Sequence, residues 1–98
     1  MLKIDLSLKN APLYHGCEIG EVGGRDTLLT EPVEASNIVG RNAIAMIEAT
    51  PADQRDVVEL TGPMAVWAYL VVFHQVVHKF RQVVYDDGRG GRVIVAQH

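Results

Sequence analysis

His74 and His78 stand four residues apart in VVFHQVVHKF (71–80), a run otherwise almost wholly apolar. On a helix this spacing puts both side chains on one side. Helical metal sites use it because two imidazoles can then reach one ion. An imidazole also takes and gives protons near neutral pH. A structural account fits the same pair: each ring bonds a backbone carbonyl or a nearby acid at the helix end, where the helix dipole favours imidazolium.

The second stretch is YDDGRGGR (85–92). Asp86 and Asp87 close an expected strand, and Arg89 follows at once. In open α/β sheets ligands bind beyond the carboxyl ends of the strands. A carboxylate there can hold a metal or act as a base, and an arginine can hold a phosphate. Asp87-Gly88 is also a standard hairpin pair, and a tight turn can still present Arg89.

The third is LTGPMAVW (60–67). A glycine between strand and helix lets backbone amides approach an anion at the helix start. Gly62 and Pro63 fill that role, or simply make a corner. The chain has no Gly-Lys-Ser/Thr phosphate loop, and it lacks the later glycines of a dinucleotide fingerprint. Ser36 and Asn37 read most simply as helix caps. His15 and Cys17 read as ordinary strand residues, and no zinc-finger spacing is present.

These residues need elements to position them. Leu2, Ile4, Leu6 and Leu8 alternate with polar residues, the period of a half-buried strand. NAP (10–12) breaks it, and LYHGCEIGEV (13–22) reads as its hairpin partner. Residues 23–35 read as loop. A helix with one apolar face follows from Ser36 or Asn37 to near Pro51. DVVELTG (56–62) reads as a strand buried on both faces. Residues 64–80 read as a long buried helix opened by Pro63. RQVVYDD (81–87) and RVIVAQ (92–97) read as strands joined by GRGG. The order is ββαβαββ, an α/β class with a mixed sheet and a crossover through the long helix.

Composition sets the bounds. With 98 residues the chain supports one domain, 1–98, with one modest core. Hydrophobic residues make up 48% and charged residues 21%, as in a folded globule rather than a disordered chain. A net charge of −3 gives no general attraction to nucleic acid, DNA included, so any anion site must be local. A single cysteine rules out an internal disulfide, and a reducing cytoplasmic setting fits. The N-terminus lacks the apolar core of a signal peptide. The Gly62–Val77 run falls short of the about 20 apolar residues a membrane span needs.

In combination these motifs are more specific than each alone. The segment 62–98 resembles the small CRISPR-associated ring nucleases of type III systems, called Csx-three or Crn-three. Members of that family show a Gly-Pro after a strand, a helix with two histidines four apart, and a strand ending Tyr/Phe-Asp-Pro-Arg/Lys. A hairpin then leads to a returning strand that ends in histidine. Here Gly62-Pro63, His74, His78, Tyr85-Asp86, Arg89 and His98 occur in that order. EPVEASNIVGRNAIAMIEATP (31–51) is similar to the family's first helix, so the likeness covers residues 31–98. The family's Asp-Pro-Arg is here Asp86-Asp87-Gly88-Arg89. Counting from Tyr85 selects Asp86, and counting back from Arg89 or His98 selects Asp87.

The resemblance implies a Rossmann-like fold, a trimmed relative of the CARF domain. It implies cleavage of cyclic tetra-adenylate, a second messenger whose removal switches off type III CRISPR effectors. It implies manganese dependence and homodimers, two of which sandwich one ring so that the site is completed across subunits. The expected metal and catalytic set is His74, His78 and Asp86 or Asp87. The expected ligand-binding set is Ser36, Asn37, Gly62, Pro63, Arg89, Arg92 and His98. Two other functions fit the same residues: a binding-only module for a cyclic oligonucleotide, and a manganese-dependent RNA 3′-exonuclease.

Overall fold

Three strands run parallel side by side, and a fourth closes the sheet in the opposite direction. A computed structural model describes residues 1–98. The strands are β1 (Leu2–Asp5), β4 (Val57–Thr61), β5 (Gln82–Asp86) and β6 (Arg92–Gln97), in the sheet order β1-β4-β5-β6. β1 pairs with β4 and β4 with β5 in parallel, and β5 pairs with β6 antiparallel. A separate hairpin joins β2 (Ile19–Val22) and β3 (Arg25–Leu28). Helix α1 (Pro32–Glu48) leads to β4 through a single 3₁₀ turn, Ala52–Gln54. Helix α2 (Val66–Val76) links β4 to β5. The expected α/β class with a mixed sheet is what forms.

Both helices lie on one face. Ile4, Val58, Leu60 and Val83 join one core with Val39, Ala43 and Ile47 of α1 and Ala68, Val72 and Val76 of α2. Residues alternate across a strand, so Lys3, Glu59 and Val84 point to the other face, over which no helix lies. There Glu59 is buried between cations: Lys3 Nζ is 3.6 Å from its carboxylate and Arg92 Nε donates to it at 3.0 Å.

Several elements differ from the sequence reading. The first strand was expected to pair with residues 13–22, but its partner is β4. It stops at Asp5 because that carboxylate accepts the Ser7 amide at 2.8 Å, and the Asn10 side chain donates to the Asp5 carbonyl at 2.7 Å. Residues 11–16 form turns, and the Tyr14 hydroxyl donates to the Leu6 carbonyl. The supposed loop 23–35 supplies half of a hairpin. Gly23 and Gly24 take φ of 60° and 79°, the conformation a two-residue hairpin turn needs at both central positions.

Helix α1 begins at Pro32 rather than at Ser36 or Asn37. Glu31 caps it by accepting the Val33 amide at 2.7 Å. Ser36 lies inside the helix, its hydroxyl donating to the Val33 carbonyl at 2.7 Å. Helix α2 is shorter than 64–80. It ends at Val76, and Phe80 turns back into the core. Nor is it buried all round. Ala68, Val72 and Val76 make one buried stripe, while Val66 and Leu70 are exposed. His74 sits in the last helical turn and His78 beyond the cap, and both imidazoles are exposed. No helix is long and apolar enough to cross a membrane.

Candidate nucleotide-binding edge

The carboxyl ends of the parallel strands finish level. Asp5, Thr61 and Asp86 are partners in register, and Arg92 stands opposite Asp86. The Thr61 hydroxyl donates to the Asp86 carbonyl at 3.0 Å, tying β4 to β5 at this edge. Gly62 then turns the chain toward α2 with φ of 101°, a conformation that favours glycine. A β-carbon there would stand 2.2 Å from Asp5 Oδ1 and 2.9 Å from the Ser7 amide nitrogen. So Gly62 is required by a close approach as well as by its backbone angle. The Tyr69 hydroxyl of α2 donates to the Gly62 carbonyl and fixes the corner from the helix side. Burial pushes Tyr69 up to about 12, helped by the nearby Tyr85 and Asp5. Burial likewise raises Tyr14 well above the usual tyrosine range.

The turn after β5 is built by both aspartates. Asp86 Oδ1 accepts the Gly88 amide at 2.8 Å. Asp87 Oδ1 accepts the Arg89 amide at 2.7 Å and the Gly91 amide at 3.0 Å. Both carboxylates therefore hold backbone, and Asp87 holds more of it. The turn carries the Arg89 side chain, which has no carboxylate partner. A cavity of about 550 Å³ lies between this turn and the Gly62 corner, lined by Thr61, Gly62, Pro63, Tyr85, Asp87 and Arg89. The Tyr85 ring meets Tyr69 edge-to-face, with centroids 5.5 Å apart.

The histidines lie elsewhere. Helix α2 runs antiparallel to the strands it connects, so its C-terminus meets the start of β5. The four residue steps from Gln82 to Asp86 span roughly 13 Å at strand rise. A metal set of His74, His78 and Asp86 or Asp87 within one chain would need the helix end and the strand-end turn to share an edge, but they sit at opposite edges. At the starting edge the rings of His78 and His98 lie 5.8 Å apart, and a His98 ring nitrogen bonds the Val77 carbonyl at 2.6 Å. His74 is in a third place. It lines a cavity of about 470 Å³ between the helices with Ser36, Asn37 and Arg41.

The expected manganese set is therefore not assembled within one chain. His74, His78 and the two aspartates occupy three separate places, and no three His, Cys, Asp or Glu side chains lie close enough to hold an ion. Arg92, expected to bind phosphate, is instead engaged with Glu59 on the open face of the sheet. Asp5, Ser7 and Tyr69 escaped the sequence reading. Asp5-Leu6-Ser7 has the pattern of an aspartate accepting from the backbone two residues on, and that was the available signal. Tyr69 had none, because its role depends on where α2 lies over the corner.

No family model, curated protein or solved structure matches this chain.

Proposed function

We propose that this chain is a ring nuclease for cyclic tetra-adenylate, assembled so that the Arg89 edge of one copy faces the His78 edge of another. One observation carries the reading. Arg89 and the His78–His98 pair are both exposed, at opposite ends of the same strands. One chain cannot bring them to a single phosphate, whereas two copies meeting end to end can. The order of His78, Asp86 or Asp87, Arg89 and His98 along the chain and the likeness to the ring nucleases support it. The homodimers, and the pair of dimers around one ring, are part of this proposal.

These groups carry the steps that follow, and manganese, where the assembled edges hold it, would further polarise the phosphoryl oxygen. The 2′-hydroxyl of one adenosine attacks the neighbouring phosphorus. A P–O2′ bond forms and the P–O5′ bond breaks, leaving a 2′,3′-cyclic phosphate. His78 accepts the 2′-hydroxyl proton, and water protonates the departing 5′-oxygen. Arg89 neutralises the charge that builds on the phosphoryl oxygens. Two such cuts give two linear di-adenylates and remove the signal that activates type III CRISPR effectors.

The test is incubation with cyclic tetra-adenylate, with and without manganese, followed by chromatography. Linear di-adenylate is the expected product. A ring retained but uncut would make the chain a binding module. Trimming of long linear RNA with the ring intact would make it a 3′-exonuclease.

A further inference from the structure

A second cavity adjoins the same strand-end edge, on the far side of Pro63. It is larger, about 670 Å³, and lies between the β2–β3 hairpin and the start of α2. Leu8, Leu28, Met64 and Trp67 give it apolar walls, and Lys9 and Arg25 are on its lining. Asp26 and Glu31 line it too, but Glu31 is committed to capping α1. Lys9 and Arg25 have no carboxylate partner. The residue before α2, Ala65, also lines the cavity and offers no side-chain cap to the helix.

We infer that this crevice binds a purine nucleotide, with the base between the apolar walls and Trp67 and the phosphate on the Lys9 and Arg25 side. The volume falls in the range of small-molecule sites, which are mostly apolar with a few placed polar groups. An indole stacks on any base, and a purine offers it the larger face. The cations select a phosphate-bearing ligand over a free base. The crevice and the Arg89 cavity both include Pro63, so one extended ligand can occupy both. The inference rests on the proposed function only for the identity of that ligand, an adenine of the ring.

Trp67 is the one tryptophan in the chain, so its emission reports this site. The experiment titrates the protein with 5′-AMP, ribose 5-phosphate and cyclic tetra-adenylate, following fluorescence and binding heat together. The expected result is a Trp67 response to 5′-AMP and to the ring, with ribose 5-phosphate at least tenfold weaker. Ala65→Phe fills the crevice from an exposed position, and it should weaken 5′-AMP binding at least tenfold with the thermal melt unchanged. Should that variant fold poorly, Arg25→Ala replaces it, with the same loss expected. Binding heat without a Trp67 response, equal binding of ribose 5-phosphate, or no binding of 5′-AMP at millimolar concentration would overturn the inference. Cleavage of the ring with Trp67 silent overturns the crevice and leaves the nuclease reading standing. A Trp67 response to 5′-AMP with the ring neither bound nor cut does the reverse.

Discussion

Asp5 and Gly62 meet so closely across the first two parallel strands that a β-carbon on Gly62 would stand 2.2 Å from the Asp5 carboxylate. That contact ties the end of β1 to the corner leading into α2. Gly62→Ala combines a strained backbone angle with this clash. The fold should lose about 1–3 kcal/mol, the usual range for one strained residue, read as a lower urea midpoint. An unchanged midpoint would mean that the corner relaxes freely.

His78 and Arg89 serve one phosphate from two copies in the proposed assembly. His78→Ala and Arg89→Ala should each fold normally, because both side chains are exposed. His78→Ala should keep ring binding and lose about 10²-fold in single-turnover cleavage, the scale of acid–base effects. Arg89→Ala should weaken ring binding by about 1.5–3 kcal/mol, the worth of a hydrogen bond to a charged group. Mixing the two inactive proteins should restore part of the activity, since some composite sites then carry both intact residues. No recovery on mixing, after exchange of subunits has been verified, would place both groups in one chain.

Asp87 should behave first as a turn residue. Asp87→Ala leaves the amides of Arg89 and Gly91 without their acceptor and should cost about 1–2 kcal/mol. Asp87→Asn keeps an acceptor and should recover most of that stability. If Asp87→Asn folds like the parent yet cuts no ring, the carboxylate charge itself is chemical. Asp86→Ala removes one such bond and should cost less.

Arg92 should matter more to the fold than to the ligand. Arg92→Ala leaves the buried Glu59 with Lys3 alone, and the loss should be about 1–3 kcal/mol in urea unfolding, with ring affinity nearly unchanged. A clear fall in affinity with stability intact would return Arg92 to the binding set.

Tyr69 makes stability depend on alkaline pH. Its hydroxyl is pushed up to about 12 in the fold, against about 10 in the unfolded chain. Between those values the unfolded chain gives up a proton that the folded protein keeps. The folded state binds more protons there, so stability falls as pH rises. The contribution is complete below pH ~10 and lost as pH climbs through ~12. Urea midpoints across this window should drop, and Tyr69→Phe should reduce the drop without removing it, because Tyr14 shifts in the same direction.

The local pattern of this chain determined a good deal. Period-two alternation marked β1, and the β-branched runs marked β4, β5 and β6. Pro63 after Gly62 marked a strand-to-helix corner, and Asp-Gly with the glycines around Arg89 marked a turn. These signals are readable because each depends on one residue's own backbone preference or on its near neighbours. The spacing of His74 and His78 was equally visible but misleading. Four residues place two side chains together only while the helix lasts, and α2 ends between them because Phe80 is drawn into the core. The pairing of β1 with β4 rather than with the next strand was hidden for the same kind of reason: it joins residues more than fifty positions apart, and nothing local encodes it. The parallel pairing of β4 with β5 decides the rest. A helix joining two parallel strands must return antiparallel to them, which carries His78 to one edge of the sheet and leaves Gly62, Asp87 and Arg89 at the other.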